Sequence, residues 1–164
     1  MMAQMQLLDG ALATGDIVYT PDWVARDMID YFRPTGKILE PCRGDDAIYR
    51  YLPAGSDWCE IERGRDFFKW DKKADWIITN PPFERFADWH GHGLYIAPNV
   101  VYLLPAHLFF RAGSRIEHAR KDGWMKHVRF YGNGGDLDFP MGNPIAAMHF
   151  VRGYLGNTSW SWYA

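Results

Sequence analysis

Cysteine is scarce: the 164 residues hold only Cys42 and Cys59, and no CxxC pair. That argues against a disulfide scaffold and against a zinc site built on cysteine, and leaves a reduced, cytoplasmic protein as the expectation. Long apolar runs are also missing. The longest, Val100 to Phe110, is interrupted by Pro105 and His107 and is too short to span a bilayer, so no membrane association is expected. The amino-terminal MMAQMQLLDGALA lacks a basic region, so no signal peptide is expected. The six histidines fall between His90 and His149 without an HExxH pattern. His90-Gly91-His92 reads as loop, and no metal site is expected. Neither charge sign dominates. The formal net charge is −2, with −4 in residues 1–80 and +2 in residues 81–164, so no global basic field announces nucleic acid.

Aromatic residues are abundant instead. Eight Trp, nine Tyr and ten Phe make 16% of the chain. Most such rings fill a small core, and some could offer a flat surface to a ligand or to bases. The size suits a single domain over residues 1–164. No repeat or low-complexity linker interrupts it.

The order of elements is alternating. Thr20-Pro21-Asp22 opens a helix through Phe32, with Thr20 as N-cap, Pro21 at the first helical position, and Val24, Met28, Ile29 and Phe32 on one face. Short strands follow at Lys37–Leu39, Trp58–Ile61 and Trp76–Ile78, with helices at Asp45–Leu52 and Glu84–Trp89. A strand at Val100–Leu104, a basic helix at Arg111–Lys121 stopped by Gly123, and a final antiparallel pair at Lys126–Tyr131 and Ile145–Val151 complete the pattern. This predicts an α/β sheet, mostly parallel, with helices on both faces. Such sheets bind ligands beyond the carboxyl ends of their strands. Those ends are followed here by EPCRGDDA, EIERGRDFF and TNPPF.

Asn80-Pro81-Pro82-Phe83 is the most informative segment. Its prolines hold the backbone extended and remove amide donors, so nearby carbonyls and the Asn80 side-chain oxygen can converge as acceptors. A planar exocyclic amine presents two hydrogens that need two acceptors, and Phe83 supplies a ring to stack on it. The bland alternative is an Asn-Pro turn that ends a strand. Arg111, Arg115, Arg120 and Lys121 would be either a solvated helix face or a phosphate-contacting edge. In the second case DNA affinity should fall steeply with salt.

Taken together, VYTPDWVARDM, ILEPCRGDDAI, CEIERGRDFF and DWIITNPPF resemble, in order, the motifs of class I S-adenosylmethionine-dependent methyltransferases. The chain is most similar to the N6-adenine DNA methyltransferases with the gamma-type motif order, over about residues 17–153. The resemblance implies a Rossmann-like fold with S-adenosylmethionine as cofactor. Thr20, Pro21, Glu40, Pro41 and Gly44 would then line the methionine end, Glu60 with Ile61 the ribose, and Asp66 with Phe67 the cofactor adenine. Asn80 and Pro81, with Pro82 completing the motif, would hold the target amine, and Phe83 would stack on the target base. The base must flip out of a duplex or be single-stranded.

Three departures stand out. Asp46 occupies a position where the family usually has glycine, where it could cap the next helix or crowd the cofactor carboxylate, and Arg43 replaces a small residue. Glu60 to Asp66 leaves no room for a full helix and third strand, which predicts a sheet trimmed at that edge. No separate target-recognition domain fits the length. Methylation of RNA bases or of a protein glutamine, and a catalytically silent nucleic-acid-binding module, therefore stay open beside DNA methylation in a phage or restriction-modification setting. So do homodimerisation and a separate specificity partner. The segments from Phe83 to Pro98 and from Gly132 to Gly142 would frame the target pocket. Trp160, Trp162 and Tyr163 lie beyond the last expected strand, covering a sheet face or holding a partner.

Overall fold

A computed structural model describes residues 20–82, 85–137 and 143–164. Phe83, the amino-terminal stretch and part of the Gly132–Gly142 segment therefore lie outside the described residues. Helix α1 (Asp22–Phe32) begins where the Thr-Pro pair leads it. Pro21, at φ −56°, is the capping residue, and Asp22 places a carboxylate in the first turn, where the helix dipole favours it. Val24, Ala25 and Met28 are its buried face. Thr20 is not the N-cap: Pro21 takes that position, and the Thr20 hydroxyl meets Asn80 instead.

The strands are β1 (Ile38–Glu40), β2 (Asp57–Trp58), β3 (Trp76–Thr79), β4 (Asn99–Pro105), β5 (Met125–Asn133), β6 (Pro144–Val151) and β7 (Ser159–Trp162). They form one sheet in the order β2-β1-β3-β4-β6-β5-β7. β2, β1, β3 and β4 are mutually parallel, and β7 is parallel to β5. Only β6 runs against its neighbours β4 and β5. The expected antiparallel end is thus present, and so is the expected trimming. The sheet stops at the two-residue β2, and Glu60 to Asp66 holds only a 3-10 turn at Ile61–Arg63. The exposed flank of β2 is covered by cations rather than by a strand. The guanidinium carbons of Arg65 and Arg43 lie 4.0 and 4.7 Å from the Trp58 ring.

Four expectations need correction. Asp45–Leu52 is not an α-helix: only a 3-10 turn at Tyr49–Tyr51 forms, because Asp46 sits at φ 72°, outside helical space. Trp58–Ile61 is not one strand, since Glu60 forms a bridge with Arg65 and Ile61 starts the turn. The basic helix forms as α4 (Gly113–Asp122) but starts two residues later than expected, and a separate short helix, α3 (Ala106–Phe110), precedes it, with Arg111 and the extended Ala112 between them. His90 and His92 are not loop residues: α2 (Phe86–Ile96) carries both. The Phe83–Pro98 segment is therefore largely helix.

Period-two alternation divides the core. Leu39, Ile77, Tyr102, Met148 and Phe150 face α2, α3 and α4, while Ile38, Ile78, Val101, Leu103 and Ala147 face α1. Gly123 ends α4 against β6. A Cβ there would stand 2.4 Å from the Val151 carbonyl oxygen, and the Gly123 carbonyl accepts a hydrogen bond from His90 Nε2 at 3.1 Å. Gly123→Ala should cost about 3 kcal/mol, because the obstacle is backbone. Urea titration should show a lower midpoint with an unchanged slope.

The outer edge, β7, was not foreseen as a strand. It is tied to α1 through β5. Arg129 grips Asp27 with two bonds of 2.6 and 2.9 Å and also donates to the Trp162 carbonyl at 3.3 Å. Tyr131 donates to the same Asp27 at 2.8 Å.

Candidate active site

The carboxyl ends of β1, β2 and β3 open onto a cavity of about 230 Å³. Pro41, Glu60, Ile61, Asp66, Phe67 and Pro82 line it, so residues from three separate sequence segments converge as expected. Cys42 lines it too, as a structural or cofactor-lining thiol would, and Phe68, Arg85 and Trp89, which complete the lining, were not foreseen. Their signal was positional: Arg85 and Trp89 follow the Asn-Pro-Pro-Phe segment, and a helix that starts there must pass over the pocket. His92, one turn along α2, donates from Nε2 to the Phe67 carbonyl at 2.9 Å and so fixes the pocket wall.

The acidic groups are set by backbone donors. Glu60 Oε2 accepts from the Gly44 amide at 2.7 Å, and Oε1 from Glu62 at 3.4 Å. This leaves carboxylate lone pairs available toward the cavity. Asp66 Oδ1 accepts from the Phe68 amide at 2.9 Å. Glu40 is buried at the end of β1 and accepts from the Cys42 amide at 3.2 Å. Desolvation raises its pKa to about 8, and the neighbouring charge of Glu60 pushes the same way. Burial also lifts the Cys42 thiol well above its ordinary value, so neither it nor Cys59, pushed up to about 12, is a nucleophile at neutral pH.

Arg43 and Asp46 form one device. The guanidinium bonds both carboxylate oxygens of Asp46, at 2.6 and 3.1 Å, which lowers the Asp46 pKa and raises that of Arg43. Asp46 does not cap a helix. Its left-handed backbone explains why glycine suits this position, and Asp is one of the few other residues that tolerates it. The Asp46 charge is spent on Arg43 and, at 3.6 Å, on Arg63.

Asn80 follows β3 and is buried. Its Nδ2 donates to Thr20 Oγ1 at 3.2 Å, while its Oδ1, equally buried, meets no hydrogen-bond partner. The neighbouring Thr79 hydroxyl lies close enough to Glu40 to lower its pKa against the effect of burial. A buried acceptor left open costs free energy unless something else occupies it. The amide is therefore held by Thr20 with its oxygen presented for a donor.

The basic residues do not form one patch. Arg115 donates to the Leu108 carbonyl, Arg111 lies in the break between helices, and Arg120 and Lys121 are exposed in the last turn of α4. No cluster of three or more metal-ligating side chains exists among the described residues, and no described helix is long and apolar enough to cross a membrane.

No family model and no curated protein matches the sequence. Solved structures do match. A chain from Listeria monocytogenes, provisionally assigned as a class I S-adenosylmethionine-dependent methyltransferase, superposes with a TM-score of 0.64 over 95% of this chain and 69% of its own, at 12% identity. The fold is that of a class I methyltransferase. The M protein of the type I restriction enzyme EcoKI gives 0.62 at 11% identity, over 87% of this chain and 48% of its own. A type I modification subunit from Vibrio vulnificus gives 0.59 at 15%, over 93% and 48%. The chain thus spans about half the length of these two subunits. Open parallel sheets carry ligands beyond the carboxyl ends of their strands, the end where Glu40, Glu60 and Asn80 are found.

Proposed function

We propose that this chain is a methyltransferase catalytic domain that transfers a methyl group from S-adenosylmethionine to the N6 amine of adenine in DNA. The observation that carries this reading is the buried, unpartnered Asn80 Oδ1, oriented by Thr20 and two residues before Pro82, which lines the cavity. The cavity also fits the cofactor: Glu60 offers acceptors to a ribose, Asp66 to an amine, and Phe67, Phe68 and Trp89 offer rings to a purine. Glu40, Pro41, Gly44, Thr20 and Pro21 would serve the methionine end. When bound, S-adenosylmethionine supplies an activated methyl group on a sulfonium.

The protein's part is alignment and electrostatics. Asn80 Oδ1 and the Pro81 carbonyl accept the two amine hydrogens, which directs the nitrogen lone pair. As that nitrogen becomes positive, the same oxygens stabilise it. Phe83 stacks on the flipped base, whereas Arg120 and Lys121, in the last turn of α4 before β5 begins, lie at the end of the sheet opposite Asn80 and do not serve the target. The EcoKI M protein carries an adenine methyltransferase classification, and type I modification subunits belong to DNA restriction systems, which supports DNA as substrate and a specificity partner.

A labelled-methyl assay across unmethylated DNA, RNA and protein tests this. Label is expected in DNA adenine, and label confined to RNA or protein overturns the substrate. Cofactor binding should also release a proton below pH 8. The cationic methionine amine favours ionised Glu40, whose pKa starts at about 8. Affinity should therefore rise between pH 6 and 8, and calorimetry in buffers of different ionisation enthalpy will count the proton.

A further inference from the structure

The loop after β1 has a backbone that needs outside support. Gly44 at φ 51° and Asp46 at φ 72° are both left-handed, a conformation that glycine accepts and a side chain disfavours. The clasp of Arg43 on Asp46 closes this turn from within. The support from outside comes from the turn after β2. Arg63 Nη2 donates to the Gly44 carbonyl at 3.1 Å, and Arg63 Nη1 lies 3.6 Å from Asp46 Oδ1.

One turn thereby grips Gly44 by both of its backbone groups. The Gly44 amide donates to Glu60 Oε2 at 2.7 Å, and the Gly44 carbonyl accepts from Arg63. Glu60 and Arg63 are themselves joined, since the Arg63 amide donates to the Glu60 carbonyl at 3.0 Å. Glu60, Gly44 and Arg63 form a closed ring. Of the three, Glu60 lines the cavity, while the half-exposed Arg63 side chain stands outside it. The Glu60 carboxylate is buried, and the Gly44 amide is its shortest bond, against 3.4 Å for the Glu62 amide. The aim of that carboxylate is therefore only as exact as the peptide that donates to it, and Arg63 holds that peptide from the far side.

We propose that Arg63 is a positioning residue for the cofactor ribose, acting through the Gly44 peptide on the Glu60 carboxylate. This rests on the cofactor part of the methyl-transfer reading and is independent of which substrate receives the methyl group. Wild type, R63A and the donor-keeping R63K are compared by two measurements. Amide hydrogen exchange at Gly44, read by NMR without cofactor, should be about 10-fold faster in R63A, close to wild type in R63K, and unchanged at the amides of β3 and β4. Calorimetric titration with S-adenosylhomocysteine should show about 10-fold weaker binding to R63A, the scale of one charge-assisted hydrogen bond, and a loss within about threefold for R63K. The 2′-deoxy analogue carries the same charge and offers Glu60 one hydroxyl fewer. For it the R63A loss should shrink to about threefold or less, because the two effects are coupled through one carboxylate. A merely structural or long-range electrostatic role would weaken both ligands equally. Equal losses for the two ligands, or unchanged exchange at Gly44, overturns the positioning role. So does faster exchange with unchanged cofactor affinity. Wild-type protein that binds no S-adenosylhomocysteine, with the Gly44 exchange still dependent on Arg63, would instead remove the cofactor reading and with it any ribose for Arg63 to serve.

Discussion

Asn80→Ala is expected to lower the methyl-transfer rate by on the order of 10²-fold or more, with cofactor affinity nearly unchanged. The change removes an oriented acceptor that has no other work in the fold: its Oδ1 is buried and unpartnered. The acceptor acts most strongly on the nitrogen that gains charge in the transition state, so the loss should fall on kcat rather than on substrate binding. Thr20→Val supplies a graded control. It keeps the Asn80 amide but removes the hydroxyl that receives Nδ2 at 3.2 Å. At saturating cofactor, which removes any effect of Thr20 on the methionine end, a smaller loss of about 10-fold should follow from misorientation. Single-turnover kinetics with labelled cofactor separate the two variants. Near-normal turnover in Asn80→Ala would remove Asn80 from the reaction.

Much of this site was legible before the fold was known, because strand ends and ligand groups coincide in sequence. The acceptors at Glu40, Glu60 and Asn80 each follow a short apolar run, and parallel strands bring such ends together. The residues that were not legible depend on distant partners. Asp46 looked like an intrusion until Arg43 was seen to hold it in both bonds. Gly91 and Gly93 disguised the second half of α2 as loop. Gly93 is there because a Cβ would stand 2.7 Å from the Tyr102 hydroxyl, which donates to the Trp89 carbonyl. The Ser-Trp-Ser-Trp alternation of β7 was a strand signal too short to place alone. Its register is set by pairing with β5 and by the bonds of Arg129 to Ser161 and to the Trp162 carbonyl. The aromatic excess divides in the same way. Phe86, Tyr102, Phe109 and Phe150 are core, Phe67 and Trp89 are pocket wall, and Trp160 and Trp162 are surface.

Stability should fall sharply as pH drops from 6.5 to 4, through two histidines buried without charge. His90 donates to the Gly123 carbonyl from Nε2, leaving Nδ1 unpartnered in the core, and burial lowers its pKa to about 4. His149 stacks on Trp76 at 5.0 Å, bonds Asn99 at 3.1 Å and is lowered to about 4 by burial, with Lys126 and His127 acting in the same direction. For a depressed pKa the contribution is complete above the unfolded value of about 6.5 and is lost as pH falls through the folded value. Each histidine accounts for about 3 kcal/mol over that window. Glu40 works in the opposite sense. Its raised pKa makes its contribution complete below pH 4.5 and lost as pH rises through about 8. From pH 6.5 to 4.5 Glu40 regains about 3 kcal/mol while the two histidines lose about 5, so the acid limb still descends. The stability maximum should lie between pH 6 and 7, and Glu40→Gln should flatten the alkaline limb and steepen the acid limb, because the carboxyl no longer offsets the two histidines below pH 6.5. Urea midpoints measured from pH 4 to 8.5 read both limbs, and a profile that is flat below pH 6.5 would show that the two rings are charged inside the folded protein.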